Sequence, residues 1–468
     1  MLTALVPGPA FANSLNLESL NLTQTGVGYF CIAVFVVAYA VVIGEEYIGL
    51  RKSKPVIVAA GLMWALIGYT YSQNGLGEQA EAAVRHNLTE YGELFLFLLV
   101  AMTYINTMNE RLTFDALRSW LVRKGYSYRA LFWITGLLAF FISPWADNLT
   151  TALVMCAVVL AVGKDAPKFI GVGCINIVVA ANAGGVFSPF GDITTLMVWQ
   201  KGLIDFWGFF ALFIPGVINF IVPAACMHFA VPTGTPPLNT HVVKTKRGAK
   251  RVIALFVLTI AMAVSFHSIL HLPPVLGMMT GLGFLQMFSF YLRKTHAQDL
   301  PLIVEFSSDG IASDNVPFDI FRKIASADWD TLLFFYGVIL CVGALGFIGY
   351  LALASTALYG TLGASTTNII IGIISAIIDN IPLMFAVLSM QPDMSLGQWL
   401  LVTLTAGVGG SLLSIGSAAG VALMGQARGH YTFFSHLKWS WAIALGYAAS
   451  IAAHFWINAD TFTQAAGH

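Results

Sequence analysis

The sequence predicts an all-α polytopic membrane protein, built as an inverted repeat with two re-entrant helical hairpins and two broken transmembrane helices. Three observations predict it. Hydrophobic residues make up 57% of the 468 and charged residues only 10%, against about 25% charged in soluble domains. The apolar residues fall into runs of the length a helix needs to cross the hydrocarbon core. Inside some of those runs, one set of polar residues occurs twice, in the same order.

A mean hydropathy of +0.78 leaves no polar coat for a water-soluble globule. The net charge is zero, so nothing points to nucleic acid. Cys31, Cys156, Cys174, Cys226 and Cys341 are scattered through apolar segments without a CxxC pair, which argues against a metal knuckle or a disulfide framework. At the amino end, Ala10-Phe11-Ala12 resembles a cleavage site, but no basic residues precede it. A signal-peptide remnant and a plain disordered start are both open readings of residues 1–25.

The apolar runs cover roughly 26–43, 55–71, 92–109, 131–163, 169–200, 207–229, 252–268, 274–292, 331–349, 367–391, 398–427 and 439–457. Four are interrupted: 131–163, 169–200, 367–391 and 398–427. Basic residues set the direction. Arg51, Lys52 and Lys54 follow the first run, Arg111 to Arg129 follow the third, and Lys244 to Arg251 fill the mid-chain loop. All can be cytoplasmic in a bacterial inner membrane if the amino terminus lies outside, which leaves Arg85 and Lys201 on the outer face. Run 131–163 then enters and returns as a hairpin with arms of roughly 13 residues, short for full crossings. Run 367–391 does the same from the opposite face.

The internal match gives the domain plan. Asp147-Asn148-Leu149 recurs 232 residues later as Asp379-Asn380-Ile381. Gly184-Gly185 recurs 225 residues later as Gly409-Gly410, and at the same offset Gly191-Asp192 falls on Gly416-Ser417. "ELFLFLLVAM" from Glu93 resembles "DTLLFFYGVI" from Asp330. The expected parts are amino-terminal helices 26–90, a first repeat 91–229, connectors 230–329, a second repeat 330–457 and a tail 458–468. Inverted repeats place the substrate site at the midplane between them.

The polar residues inside these runs are the candidates. The first hairpin tip carries Ser143, Asp147, Asn148, Thr150 and Thr151, and the second carries Ser375, Asp379 and Asn380. Capping of the returning arm is the plain role for Asn148 and Asn380. It explains the aspartates less well, since a charge at a helix centre costs about 2.5–3.5 kcal/mol to insert. The first broken helix offers Asn182, Ser188, Asp192, Thr194 and Thr195 around Pro189, which removes a donor and breaks the turn. The second offers Ser411, Ser414 and Ser417 among Gly409, Gly410, Gly416 and Gly420, where small-residue helix packing competes as a reading. With Asp147, Asp192 and Asp379 in these elements and no Lys or Arg among them, the expected ligand is a small hard cation such as Na⁺ held by oxygen atoms. A desolvated carboxylate also holds a proton when no cation is bound. Glu45, Glu46, Glu93 and Asp330 are read as interfacial or helix-start acids. Asn106 and Asn109 near Glu110 are read as lining an inner entrance, and His267 and His271 as interfacial.

The stretches "SPWADNLTTALVM", "NAGGVFSPFGDITTLMVWQKG", "SAIIDNIPLMFAVLSM" and "GGSLLSIGSAAGVALMG" resemble those of the NhaD-type sodium/proton antiporters of the ion transporter superfamily. The resemblance runs over roughly 25–457. It implies exchange of Na⁺ or Li⁺ for H⁺ by a non-enzymatic carrier without a cofactor, and a homodimer with a scaffold part and a mobile transport part. Dicarboxylate carriers of the superfamily tend to have S-N-T at the hairpin tips, whereas here the tips read D-N. The second broken helix lacks a carboxylate, which departs from a symmetric pair of ion sites. Two rival readings are a Na⁺-coupled dicarboxylate or oxyanion carrier of the same fold, which should want an arginine in the motifs, and an intramembrane aspartyl protease, whose Y-D and G-x-G-D signatures do not occur.

Overall fold

A computed structural model describes residues 20–236, 242–296 and 319–466. The Ala10–Ala12 reading and most of connector 295–329 lie outside them. The described chain is helical throughout and contains no strand, only one isolated antiparallel bridge between Ser395 and Ala465. Its helices run α1 (Gly26–Ile43), α2 (Glu45–Ile48), α3 (Ser53–Gln73), α4 (Gly77–Glu110), α5 (Thr113–Arg123), α6 (Tyr128–Ala146), α7 (Asn148–Val162), α8 (Pro167–Gly185), α9 (Ile193–Gln200) and α10 (Phe213–His228). They continue as α11 (Ala249–Ser268), α12 (Pro274–His296), α13 (Ile320–Ala325), α14 (Trp329–Phe347), α15 (Tyr350–Ser355), α16 (Ala364–Ile374), α17 (Asn380–Met390), α18 (Leu396–Gly409), α19 (Ala418–Gln426), α20 (Phe433–Leu437) and α21 (Ser440–Ile457). Among the described residues ten helical segments are long and apolar enough to cross a membrane. The protein is a multi-pass membrane protein.

The chain divides into two compact units, one of residues 1–91 with 333–354, the other of 92–332 with 355–468. In the first, Met63, Ile67 and Tyr71 line one face of α3 at helical spacing and are fully buried with Cys31, Cys341, Ala344 and Ile348. Val58, Leu62 and Tyr69 lie on its other face and are exposed, as lipid-facing side chains would be. Because lipid is as apolar as these side chains, packing and hydrogen bonds hold such helices together. Gly337 accordingly lets α14 approach Val56, and the Trp64 indole N–H donates to the Leu340 carbonyl at 2.9 Å.

The second unit carries the hairpins and broken helices of both matched halves, while residues 333–354 of the second half belong to the first unit. In each half, two helices meet at a D-N tip and both pack on a helix that breaks before a short continuation: α6 and α7 on α8, α16 and α17 on α18. The breaks fall at residues 186–192 and 410–417, before α9 and α19. Matched positions make matched contacts. Ser143 Oγ donates to the Ala181 carbonyl at 2.6 Å, and Ser375 Oγ donates to the Ala406 carbonyl at 2.9 Å. Gly184 lies against the Phe140 carbonyl, as Gly409 does against that of Gly372. Gly185 faces Gly191, as Gly410 faces Gly416. The halves also exchange partners: α7 packs on α19 and α17 packs on α9, while α10 and α21 pack lengthwise.

Two expectations need correction. The arms of the first hairpin are unequal, because α6 begins at Tyr128, where Ser127 caps it, and runs 19 residues before Asp147 ends it. By length and composition α6 alone could cross a membrane, whereas α7, α16 and α17 are shorter. Glu93 does not begin its helix either: α4 starts sixteen residues earlier at Gly77 and continues unbroken to Glu110. Asp330 does lie in the first turn of α14.

The close backbone approaches make a prediction. Gly184→Ala and Gly409→Ala each push a methyl into a carbonyl of the neighbouring helix and should each destabilise the protein by about 1–3 kcal/mol. Gly61→Ala, where nothing lies within 4 Å, should be near neutral. Thermal melting of the purified variants in detergent measures the difference.

Candidate functional site

The first tip is made by an unusual backbone. Asp147 separates α6 from α7 at φ 55°, ψ 160°. Positive φ is uncommon outside glycine, though aspartate and asparagine tolerate it best. Its carboxylate turns back and accepts the Thr150 backbone N–H at 2.8 Å and the Thr150 hydroxyl at 2.9 Å. Asp379 does the equivalent at the second tip, as the N-cap of α17 with its carboxylate toward the Ile381 N–H. The capping role expected of Asn148 and Asn380 therefore belongs to the aspartates before them. The asparagines are released to point elsewhere.

They point at Asp192. Pro189 and Gly191 break the first long helix, and Ser188 ties the break to the tip by donating to the Pro144 carbonyl at 2.9 Å. Thr195 braces it from the other side, its hydroxyl on the carbonyls of Ser188 (2.8 Å) and Asp192 (2.7 Å). Asp192 is then the N-cap of α9, Oδ1 accepting the Thr194 N–H at 3.2 Å. Oδ2 accepts both tip asparagines, Nδ2 of Asn148 at 3.2 Å and Nδ2 of Asn380 at 2.9 Å. Asn148 also donates to Asn182 Oδ1 at 3.1 Å, and Asn182 donates to Ser411 Oγ at 2.8 Å. Asp192 is 4% exposed and Asn380 3%, while Asn182 and Ser411 are fully buried. One buried carboxylate thus joins both tips and both broken helices, and the α9 N-terminus adds its positive dipole end.

Three buried hydroxyls in the same elements have no hydrogen-bond partner: Thr151 one turn into α7, Thr194 beside Asp192, and Ser414 in the second break. Other buried threonines bond a carbonyl, as Thr103 does to Leu99 at 2.6 Å and Thr403 to Trp399 at 2.7 Å, although Thr113 Oγ1 in α5 is also unpartnered. Leaving such a group unpaired costs about 1–3 kcal/mol, and each of the three hydroxyls keeps oxygen lone pairs that no protein donor occupies. Hard oxygen donors of this kind suit Na⁺ or Li⁺.

Not every expected residue joins this centre. Among the described residues no three carboxylate, histidine or cysteine side chains gather as a metal-holding group. Asp147 and Asp379 turn their carboxylates onto their own helix starts, while Asp192 receives the two tip asparagines. Ser417 caps α19, accepting the Gly420 N–H at 3.3 Å. Asn106 donates to the Ser326 carbonyl at 3.1 Å, and Glu110 pairs with Arg111 (3.0 Å) and Lys323 (2.9 Å). His267 packs its ring on Trp199 with centroids 4.8 Å apart. Of the three serines the sequence offers in the second break, Ser411 is the one that meets the first half, through Asn182. Its one signal was its place directly after Gly410, where the helix unwinds.

The family described as citrate transporter (CitMHS) matches residues 30–407. The Na⁺/H⁺ antiporter NhaD of Alkalimonas amylolytica is 59% identical over 99% of this chain and 97% of its own length. That of Vibrio cholerae is 58% identical over 95% of each. Sodium/proton antiporter 1 of Arabidopsis thaliana is 30% identical over 91% of this chain and 72% of its own. The chain belongs to the citrate-transporter family and, with relatives this similar along nearly its whole length, to the NhaD sodium/proton antiporters.

Proposed function

We propose that the protein exchanges Na⁺ or Li⁺ for H⁺ across a bacterial inner membrane by letting the two compete for Asp192 at a midplane site. The carrying observation is the buried Asp192 carboxylate held by an asparagine from each hairpin tip, with unpartnered hydroxyls in the elements around it. A carboxylate in such a setting is costly unless a proton or a cation neutralises it. One site that takes either ion and never both is sufficient for obligatory exchange.

The asparagines fit this alternation. In the described arrangement their amide N–H groups donate to Asp192 Oδ2. A side-chain amide turned about its last bond presents an oxygen instead. Asn148 and Asn380 would stabilise the bare carboxylate in one orientation and ligate the cation in the other. Thr151, Thr194 and Ser414 complete the oxygen set. Asp147 and Asp379 belong to the site as the caps that aim the asparagines, with Thr150, Ser188, Thr195 and Ser417 bracing the helix starts. Hairpins entering from opposite faces, an outer amino terminus and a homodimer complete the reading, supported by the basic loops and the family resemblance.

A second reading is favoured by the family description, a citrate carrier. The chemistry of the site opposes it. Both bonds to Oδ2 of Asp192 come from neutral amides and the bond to Oδ1 from a backbone N–H, so a citrate carboxylate would meet like charge with no guanidinium to offset it.

Three outcomes are expected. Na⁺ or Li⁺ added to proteoliposomes acidified inside should drive protons out, read by an internal pH dye, with no requirement for citrate, succinate or arsenite. Transport seen only with an anion supplied would replace the antiporter with the citrate-type carrier. Asp192→Asn, which keeps size and capping ability, should abolish this flux while melting within a few degrees of the native protein. Near-normal flux would make Asp192 a structural cap. Finally, competition fixes a sign: the apparent KM for Na⁺ should rise as pH falls, by up to about tenfold per unit for one competing proton, with Vmax little changed. A KM independent of pH would exclude a shared site.

A further inference from the structure

Outside the ion site, His436 is a buried polar group with no part in the exchange just described. His436 is fully buried on the five-residue helix α20, and both its ring nitrogens are engaged. Nε2 lies 2.8 Å from the Ser411 carbonyl, and Nδ1 lies 2.8 Å from the Tyr431 hydroxyl. A backbone carbonyl only accepts, so Nε2 carries a proton, and a neutral ring then accepts the Tyr431 hydroxyl at Nδ1. Tyr431 is itself 1% exposed. A capping box between Thr432 and Ser435 fixes the helix start three residues before His436. Just beyond, Ser440 Oγ donates to the Leu412 carbonyl at 2.7 Å. Two successive carbonyls of the second break are therefore held from outside by side chains on α20 and α21.

Ser411 is the link. Its carbonyl is gripped by His436, and its hydroxyl receives Asn182, the partner of Asn148 at Asp192. The first break has nothing comparable: the position matching Ser411 is Val186, and its bracing comes from its own Ser188 and Thr195. The first break is held by side chains of its own segment, Ser188 reaching Pro144 and Thr195 reaching Ser188, the second by a histidine 25 residues beyond Ser411.

We propose that His436, oriented by Tyr431, is a positioning residue for cation binding, setting the Ser411 hydroxyl where it holds Asn182 against Asn148 and Asp192. The inference rests on the reading of Asp192 as the exchange site. It assigns His436 no contact with the ion and no change of protonation. Losing the grip lets the second break relax, Asn182 loses its acceptor, and the asparagine pair no longer meets the ion in register. Affinity for Na⁺ should fall while the rate at saturation is kept.

The experiment compares native protein, Tyr431→Phe, His436→Gln and His436→Ala, each alone and combined with Ser411→Ala, in Na⁺-driven proton flux from proteoliposomes with melting temperature recorded. Tyr431→Phe keeps the ring and removes only the hydroxyl, so it serves if His436→Ala fails to fold. Tyr431→Phe and His436→Ala should raise the Na⁺ KM about tenfold, as expected for one buried hydrogen bond lost, at nearly native Vmax. His436→Gln, whose amide can still donate to the Ser411 carbonyl, should stay within about twofold of native. In the Ser411→Ala background neither Tyr431→Phe nor His436→Ala should raise KM further, since residues acting through a shared link are non-additive. The inference is overturned if melting temperature or Vmax falls while KM stays native, if glutamine is as harmful as alanine, or if the effects add in the Ser411→Ala background. A native protein showing no Na⁺-dependent flux would instead refute the exchange reading.

Discussion

The second unit is organised around the need to house one carboxylate out of water. Asp192 cannot be left bare among apolar helices, so every polar group that reaches it must be delivered by backbone that is itself satisfied. Each delivery requires a break in regular structure. The tips expose the asparagines only because Asp147 and Asp379 cap the returning arms, and Asp192 arrives only because Pro189 and the glycines interrupt α8. The glycines serve the same end: at Gly184 and Gly409 two backbones approach so closely that a side chain has no room. Close packing at these points brings the tips to the level of the breaks.

The scaffold is repeated and the site is lopsided. Contacts that depend on backbone and small residues recur in both halves, such as the serine-to-carbonyl bonds of Ser143 and Ser375. The chemistry does not recur. Asp192 matches Ser417, Asn182 matches Gly407 and Ser411 matches Val186. Gly407 shows why: a methyl added there would meet Val186 and lie 4.0 Å from Asp192 Oδ2. The second half makes room for the first half's carboxylate, gives it the Asn380 amide, and through Ser411 holds Asn182.

Much of this was legible from the sequence, because membrane helices announce themselves by length and hydropathy, and charge inside them is rare enough to stand out. The helical class, the two D-N tips and both broken helices could be read that way. Three things could not. Which member of a D-N pair caps and which reaches inward depends on where the arm begins, at Asn148 and at Asn380, and adjacent residues of similar size carry no sign of it. The start of α6 was missed because the polar residues near Tyr128 resemble a loop until a fold packs them. The grip on Ser411 joins residues from separate elements through a backbone carbonyl, an acceptor present at every position and so invisible as a motif.

The exchange of partners between the halves, α7 on α19 and α17 on α9, makes the two interdependent. Each tip arm leans on the short helix that follows the other half's break. Cut at the connector, either half would lose the helix against which its returning arm packs, and Asp192 would lose Asn380. The two halves are therefore one folding unit in two pieces, and neither is a carrier by itself.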